Sequence, residues 1–148
     1  SLNMINIYTD GACKGNPGPG GWGALVVDGE NKSEIFGGEP ITTNNRMEIL
    51  AVIMALKTII TDSEITVFTD SKYVQKGISE WIGNWKINGW RTSNKKAVKN
   101  KDLWIELDSL ASKLRINWMW VKGHSGHVGN DRADYLANKG IDIEDPNL

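Results

Sequence analysis

The spacing of apolar positions changes period several times along the chain, and each change predicts an element. Residues 4–9 are mostly apolar and read as a strand that ends at Asp10. Glycine and proline then break any period over residues 11–23, which read as a loop. Residues 23–27 and 33–38 read as two strands joined by a turn at Asp28-Gly29, an antiparallel meander. Over residues 45–60 the period becomes helical. Met47, Leu50, Ala51, Met54 and Thr58 fall on one face, and Asn45 with Glu48 has the spacing of a capping box. Residues 65–69 form a short apolar strand followed by Asp70. Helical segments are expected at residues 72–77, 80–87 and 101–114, then a last strand at 116–121. A loop over residues 122–130 leads into a final helix from about 131 to 138, and the short acidic tail 141–148 is expected to fray.

A meander followed by strands alternating with helices implies an α/β fold: one mixed sheet with helices on its faces. The chain has 148 residues, 40% of them hydrophobic, which suits a single domain with one core (1–148). There is no internal repeat. No apolar stretch is long enough for a bilayer, and no secretory signal is visible at the N-terminus. Met4 reads as the native start, with residues 1–3 as additions to it. Cys13 is the only cysteine. It can form no internal disulfide, and a cytoplasmic location is expected.

Net charge is −1, which by itself argues against a polyanionic partner. Its distribution reverses that inference. Residues 81–101 hold Lys86, Arg91, Lys95, Lys96, Lys99 and Lys101 and no carboxylate, a local +6 that leaves −7 for the rest. One basic contact surface on an acidic body is implied.

Asp10 and Asp70 stand in matching contexts, Ile-Tyr-Thr-Asp-Gly and Val-Phe-Thr-Asp-Ser. If the two strands are parallel neighbours, both carboxylates emerge at the carboxyl end of the sheet, where open α/β sheets place ligands. Carboxylates held together repel, and a hard divalent cation with oxygen ligands relieves the repulsion. Each acid also has a plainer role open to it. Asp70 could cap a helix, Asp10 could serve a turn, Glu48 could complete the capping box, and Asp134 could complement a helix dipole.

Six ordered strings change that balance: Tyr8-Thr-Asp-Gly-Ala12, Gly15-Asn-Pro-Gly-Pro-Gly-Gly21, Thr43-Asn-Asn-Arg-Met-Glu48, Thr69-Asp-Ser-Lys-Tyr73, Trp120-Val-Lys-Gly-His124 and Asn130-Asp-Arg-Ala-Asp134. Together they closely resemble the type 1 ribonuclease H family in its bacterial form, over residues 4–138. The resemblance implies a five-stranded mixed sheet flanked by helices. It places four metal-binding carboxylates on Asp10, Glu48, Asp70 and Asp134 and a mobile catalytic histidine on His124. It implies an enzyme that cuts the RNA strand of an RNA–DNA hybrid with two Mg²⁺, for which Mn²⁺ would substitute. The ions would lie roughly 3.5–4 Å apart, with water as nucleophile and 5′-phosphate and 3′-hydroxyl ends as products. A monomer is expected on the same ground.

Hybrid is told from DNA by the 2′-hydroxyl. Asn16, Asn44 and Asn45 resemble the family's hydroxyl-contacting positions, with Cys13 close by. The residues 81–101 resemble its basic protrusion. There Trp81 and Trp85 would pack on deoxyribose, Lys95, Lys96 and Lys99 would meet phosphates, and at least one of Trp81, Trp85 and Trp90 would be core. Thr43 and Asn100 resemble its DNA phosphate pocket. Ile41 stands where many relatives have Arg, and Lys72 where bacterial relatives commonly have Gln. His124 and His127 as a zinc pair lack a third ligand. Two other readings remain: a DNA-acting nuclease on the same fold, and a non-catalytic hybrid-binding module.

Overall fold

The computed structural model describes residues 4–60, 62–123, 126–145 and 147. Strands β1 (Met4–Cys13), β2 (Gly18–Asp28) and β3 (Asn31–Thr42) form the expected antiparallel meander. Gly29, with φ of +63°, makes the tight turn between β2 and β3. Strand β4 (Glu64–Thr69) then pairs in parallel with β1, and β5 (Arg115–Trp120) in parallel with β4. The sheet order is β3-β2-β1-β4-β5. Helices are α1 (Asn44–Lys57), α2 (Lys72–Lys76), α3 (Ile82–Ile87), α4 (Lys101–Ala111) and α5 (Val128–Glu144). Among the described residues no helix is long and apolar enough to cross a membrane.

Alternation along the central strands decides the layering. Ile5 and Ile7 of β1, with Ile65 and Val67 of β4, are fully or almost fully buried and share a core with Ile49, Val52, Ile53 and Leu56 of α1 and Trp104 and Leu107 of α4. Tyr8, of the other parity, stacks on Phe68 at 4.6 Å and lies against Gly129 of α5. Helices α1 and α4 therefore cover one face and α5 the other.

Where the structure departs from the apolar pattern, close backbone approach is the usual cause. The expected loop over residues 11–23 is mostly strand, and only residues 14–17 separate β1 from β2. Glycine suits turns, but Gly21 and Gly23 lie in the strand beneath α5. A methyl on Gly23 would stand 2.6 Å from the Ala137 nitrogen and 2.7 Å from the Ala133 oxygen, and one on Gly21 would stand 2.1 Å from the Ala137 oxygen. Helix α5 likewise runs well past its expected ends. Gly129 and Gly140 resemble helix breakers, yet a methyl on Gly140 would meet the Gly37 oxygen at 2.0 Å. Ile141 is buried and the helix continues to Glu144, so the tail expected to fray from residue 141 is ordered helix to that point.

The two helical segments expected at 72–77 and 80–87 are one run, joined by a π-helical turn at Gly77–Trp81. Gly77 sits on the Trp104 indole so closely that a methyl would approach it to 2.0 Å. Helix α4 ends three residues before its expected limit, at Ala111. Helix α1 starts at Asn44 because Thr43 is its cap: the Thr43 hydroxyl accepts from the Arg46 amide at 3.2 Å. The capping box expected of Asn45 and Glu48 is thus absent, and Glu48 has no capping duty.

Gly23→Ala should press α5 off the sheet, lowering stability by about 1–3 kcal/mol and the melting temperature by several degrees. Gly83→Ala, on α3 with open space around it, should raise stability by up to about 1 kcal/mol. Thermal melts of the two variants check the contact; a Gly23→Ala protein as stable as wild type contradicts it.

Candidate metal centre

Asp10 lies inside β1 rather than after it. The parallel pairing with β4 ends at Tyr8↔Phe68, and β1 continues alone on that side with Asp10 opposite Gly23 of β2. Its Oδ1 accepts from the Gly11 amide at 2.9 Å. Gly11 faces α1, and its bare Cα admits the helix backbone: a methyl there would stand 2.4 Å from the Glu48 nitrogen. Glu48 is thereby carried next to Asp10. Asp70 directly follows β4, and Ser71, not Asp70, caps α2 by accepting from the Val74 amide at 3.1 Å. Neither Asp70 nor Glu48 is consumed by the helix start beside it.

Oxygens of Asp10, Glu48 and Asp70 lie within 4.8 Å of one another. Asp134, half-buried and in the second turn of α5, lies beside the Asp10 carboxyl and helps to raise its pKa. It is not a first-turn residue; the cap of α5 is His127, whose Nδ1 accepts from the Asn130 amide at 3.4 Å. The His127 ring also contacts those of Tyr8 and Phe68. So the structure gathers Asp10, Glu48 and Asp70 into one cluster and sets Asp134 beside Asp10. His124 lies outside the described residues. Gly123, just before it, is so close to Asp70 that a methyl would stand 2.7 Å from Oδ2.

The gathered charges are poorly served by the protein alone. Burial, then the Asp70 charge, pushes the Asp10 carboxyl up from 3.8 to about 8. Burial, then the charges of Asp10 and Asp70, raises Glu48 well above its ordinary value. Glu48 Oε1 is buried without a hydrogen-bond partner. An all-oxygen donor set with an orphaned buried oxygen and mutual repulsion fits a hard divalent cation, which would satisfy both.

The other positions lie on the β1–β2 bend, at the start of α1 and in the basic segment. Asn16 Oδ1 accepts from the Asn44 amide at 2.8 Å, tying the β1–β2 bend to the start of α1. Asn45 is exposed one turn before Glu48. Cys13 Sγ lies 3.3 Å from the Thr42 oxygen and 3.4 Å from that of Gly18. Thr43 and Asn100 are linked through Arg46, which donates to Asn100 Oδ1 and forks onto Asp102. Asn100 in turn donates to the Tyr73 hydroxyl, as does Trp104.

Trp81, Trp85 and Trp90 are all half-buried and form a chain of ring contacts that reaches the fully buried Trp104. Trp81 and Trp85 also line an open pocket of about 350 Å³ with Tyr73, Thr92, Val98 and Lys99. Lys95 and Lys96 are exposed on a short loop closed by an Arg91–Ala97 bridge, and Lys99 is exposed just after the buried Val98. Ile41 is 79% exposed, and Lys72 lines a second pocket beside Asp70. The reading of the sequence missed Arg46 and Trp104. Arg46 was inside a quoted motif but its partner Asp102 is 56 residues away; Trp104 sits at a buried position of α4, where helical period was the signal.

Because burial raises Asp10 in the folded state, folding favours its protonated form. Its contribution is fully present below the unfolded value near 4 and is lost as the pH rises toward about 8. Asp10→Asn should therefore raise cation-free stability near pH 7.5 by roughly 1–4 kcal/mol, with little gain near pH 4. Melts in chelator across that range check it, and equal pH dependence of the two proteins contradicts it.

Comparison with known proteins agrees with this geometry. Chains named ribonuclease H are 60% identical in Alcanivorax borkumensis, over 95% of this chain and 93% of that one, and 59% identical in Herminiimonas arsenicoxydans, over 99% and 100%. LC9-RNase H1, described as a type 1 RNase H with the type 2 active-site motif, superposes with a TM-score of 0.87 at 32% identity, over 98% of this chain and 75% of that one. LC11-RNase H1, solved in complex with RNA/DNA hybrid, superposes with a TM-score of 0.74 at 26% identity, over 94% and 97%. The RNase H family model matches residues 3–142, and with it the conclusion follows that the chain belongs to the ribonuclease H family.

Proposed function

We propose that the chain is an endoribonuclease that hydrolyses the RNA strand of RNA–DNA hybrids, leaving 5′-phosphate and 3′-hydroxyl ends. The observation that carries this reading is the convergence of Asp10, Glu48 and Asp70, with Asp134 beside Asp10, just past the point where the parallel pairing of β1 with β4 ends. Asp10, Glu48, Asp70 and Asp134 would hold two Mg²⁺, or Mn²⁺ in their place. Bound there, such ions supply the charge that acidifies an attacking water and stabilises a leaving 3′ oxygen.

The chain's own residues supply placement. Asp10 stands among the other three acids and is fixed by the Gly11 amide. Cys13, Asn16, Asn44 and Asn45 would read the 2′-hydroxyl with short polar groups beside the carboxylates. Thr43 and Asn100 would receive a DNA phosphate, with the Arg46 guanidinium between them. Trp81 and Trp85 would meet deoxyribose at their exposed edges while their buried edges pack on the core. Lys95, Lys96 and Lys99 would neutralise phosphates. His124, next in sequence after Gly123, would move a proton at the leaving group or aid product release.

Single-turnover cleavage of matched hybrid, DNA and RNA duplexes with Mg²⁺ tests the reading. Hybrid alone should be cut, and cutting of the DNA duplex or binding without cutting would reject it. Asp10→Asn should lower hybrid cleavage by about a thousandfold or more, with hybrid affinity in Ca²⁺ within a fewfold of wild type. Near-normal cleavage would remove Asp10 from the chemistry. Replacing Lys95, Lys96 and Lys99 by Ala should weaken hybrid binding and reduce its salt slope by up to about 2.7, since each phosphate contact contributes about 0.9. An unchanged slope would take the loop off the binding surface.

A further inference from the structure

The bend between β1 and β2 is held from two sides, and only one hold involves the asparagines discussed above. On the α1 side, Asn16 bonds the Asn44 amide. On the α5 side, the Lys14 ammonium donates to Asp145 Oδ2 at 2.9 Å. Asp145 is the C-cap residue of α5; its amide bonds the Ile141 oxygen, and its Oδ1 accepts from the Asn147 amide at 2.9 Å. Its side chain is only 9% exposed, against 57% for that of Lys14. The carboxylate is therefore the fixed partner and the lysine the tethered one. Each shifts the other toward its charged form, and Asp142 adds to the field on Lys14.

The bend itself leaves little slack. Lys14 donates its amide to the Pro19 oxygen at 2.9 Å, and a methyl on Gly18 would stand 1.9 Å from the Lys14 oxygen. A pull on the Lys14 side chain is thus transmitted to the backbone that carries Cys13 and Asn16. The anchor at the far end is firm, because α5 rests on the glycines of β2 and β3. The same helix carries Asp134 to Asp10.

We propose that Asp145 is a positioning residue. Through Lys14 it pins the β1–β2 bend to α5 and so sets Cys13 and Asn16 at a constant offset from the carboxylate cluster. Its role in catalysis rests on the reading that this bend faces the RNA 2′-hydroxyls. The tie holds the charged Lys14 side chain toward Asp145.

Asp145→Asn and Lys14→Met should each raise KM for hybrid by roughly two- to fivefold, the range expected of a partly exposed ion pair, with kcat within twofold and an unchanged melting temperature. The reversed pair, Lys14→Asp with Asp145→Lys, should restore KM. A role in mere helix-end stability would move the melting temperature and would not be rescued by reversal. In the free protein, amide exchange at Lys14, Gly15 and Gly18 should accelerate in Asp145→Asn and return with the reversed pair, while the centre of α5 stays protected. Unchanged exchange would overturn the tie whatever the substrate is. Accelerated exchange with an unchanged hybrid KM would overturn its role in recognition. Loss of hybrid cleavage in the wild type would instead count against the proposed function and leave the exchange result standing.

Discussion

Repulsion among buried carboxylates is the constraint around which the rest of this structure is arranged. Asp10 and Glu48 are almost wholly buried, their oxygens and those of Asp70 lie within 4.8 Å, and one Glu48 oxygen has no partner. Such a cluster works against folding unless a cation occupies it. The fold accepts that cost by making the surrounding packing unyielding. Four elements deliver the acids, and each is closely seated: β1 at the centre of the sheet, β4 paired beside it, α1 pressed on Gly11, and α5 pressed on Gly21 and Gly23. Glycine here does not loosen the chain. It permits backbones to meet, and that proximity gathers acids from four distant stretches of sequence.

The second consequence is a division of labour between the two faces of the sheet. On the α1 face, large apolar residues form the core, and the aromatic chain from Tyr73 through Trp81 and Trp85 to Trp104 extends that core into the basic segment. The Trp residues there are at once structural and surface groups, buried at one edge and open at the other. On the α5 face, small residues allow close helix–sheet contact. Polar interactions along α5, at Asp134 near one end and Asp145 at the other, tie the cluster and the β1–β2 bend to one rigid body.

Much of this arrangement was legible in the chain. The apolar runs before Asp10 and Asp70 marked two strands, which the structure pairs in parallel, and the helical period after Thr43 marked α1. The ordered motifs singled out the three acids that cluster, Asp10, Glu48 and Asp70, and Asp134 beside Asp10. Element ends were less legible, and for one physical reason. Gly21, Gly23, Gly129 and Gly140 have the composition of turns but the environment of close contacts, and only the partner backbone reveals which. Caps were misassigned similarly. Thr43 and Ser71 do the capping, which leaves the neighbouring acids free, but a spacing rule cannot choose between adjacent candidates. Arg46 with Asp102, and Lys14 with Asp145, join residues too far apart in sequence for any local pattern to pair them.

Anomalous diffraction from crystals soaked in Mn²⁺ addresses the central point most directly, because Mn²⁺ shares the oxygen-donor preference of Mg²⁺ and scatters strongly enough to be located. The account predicts an anomalous peak about 2–2.3 Å from carboxylate oxygens of Asp10, Glu48 and Asp70, absent in the Asp10→Asn protein. Manganese bound elsewhere with that cluster empty, or the same peak persisting in Asp10→Asn, would contradict it.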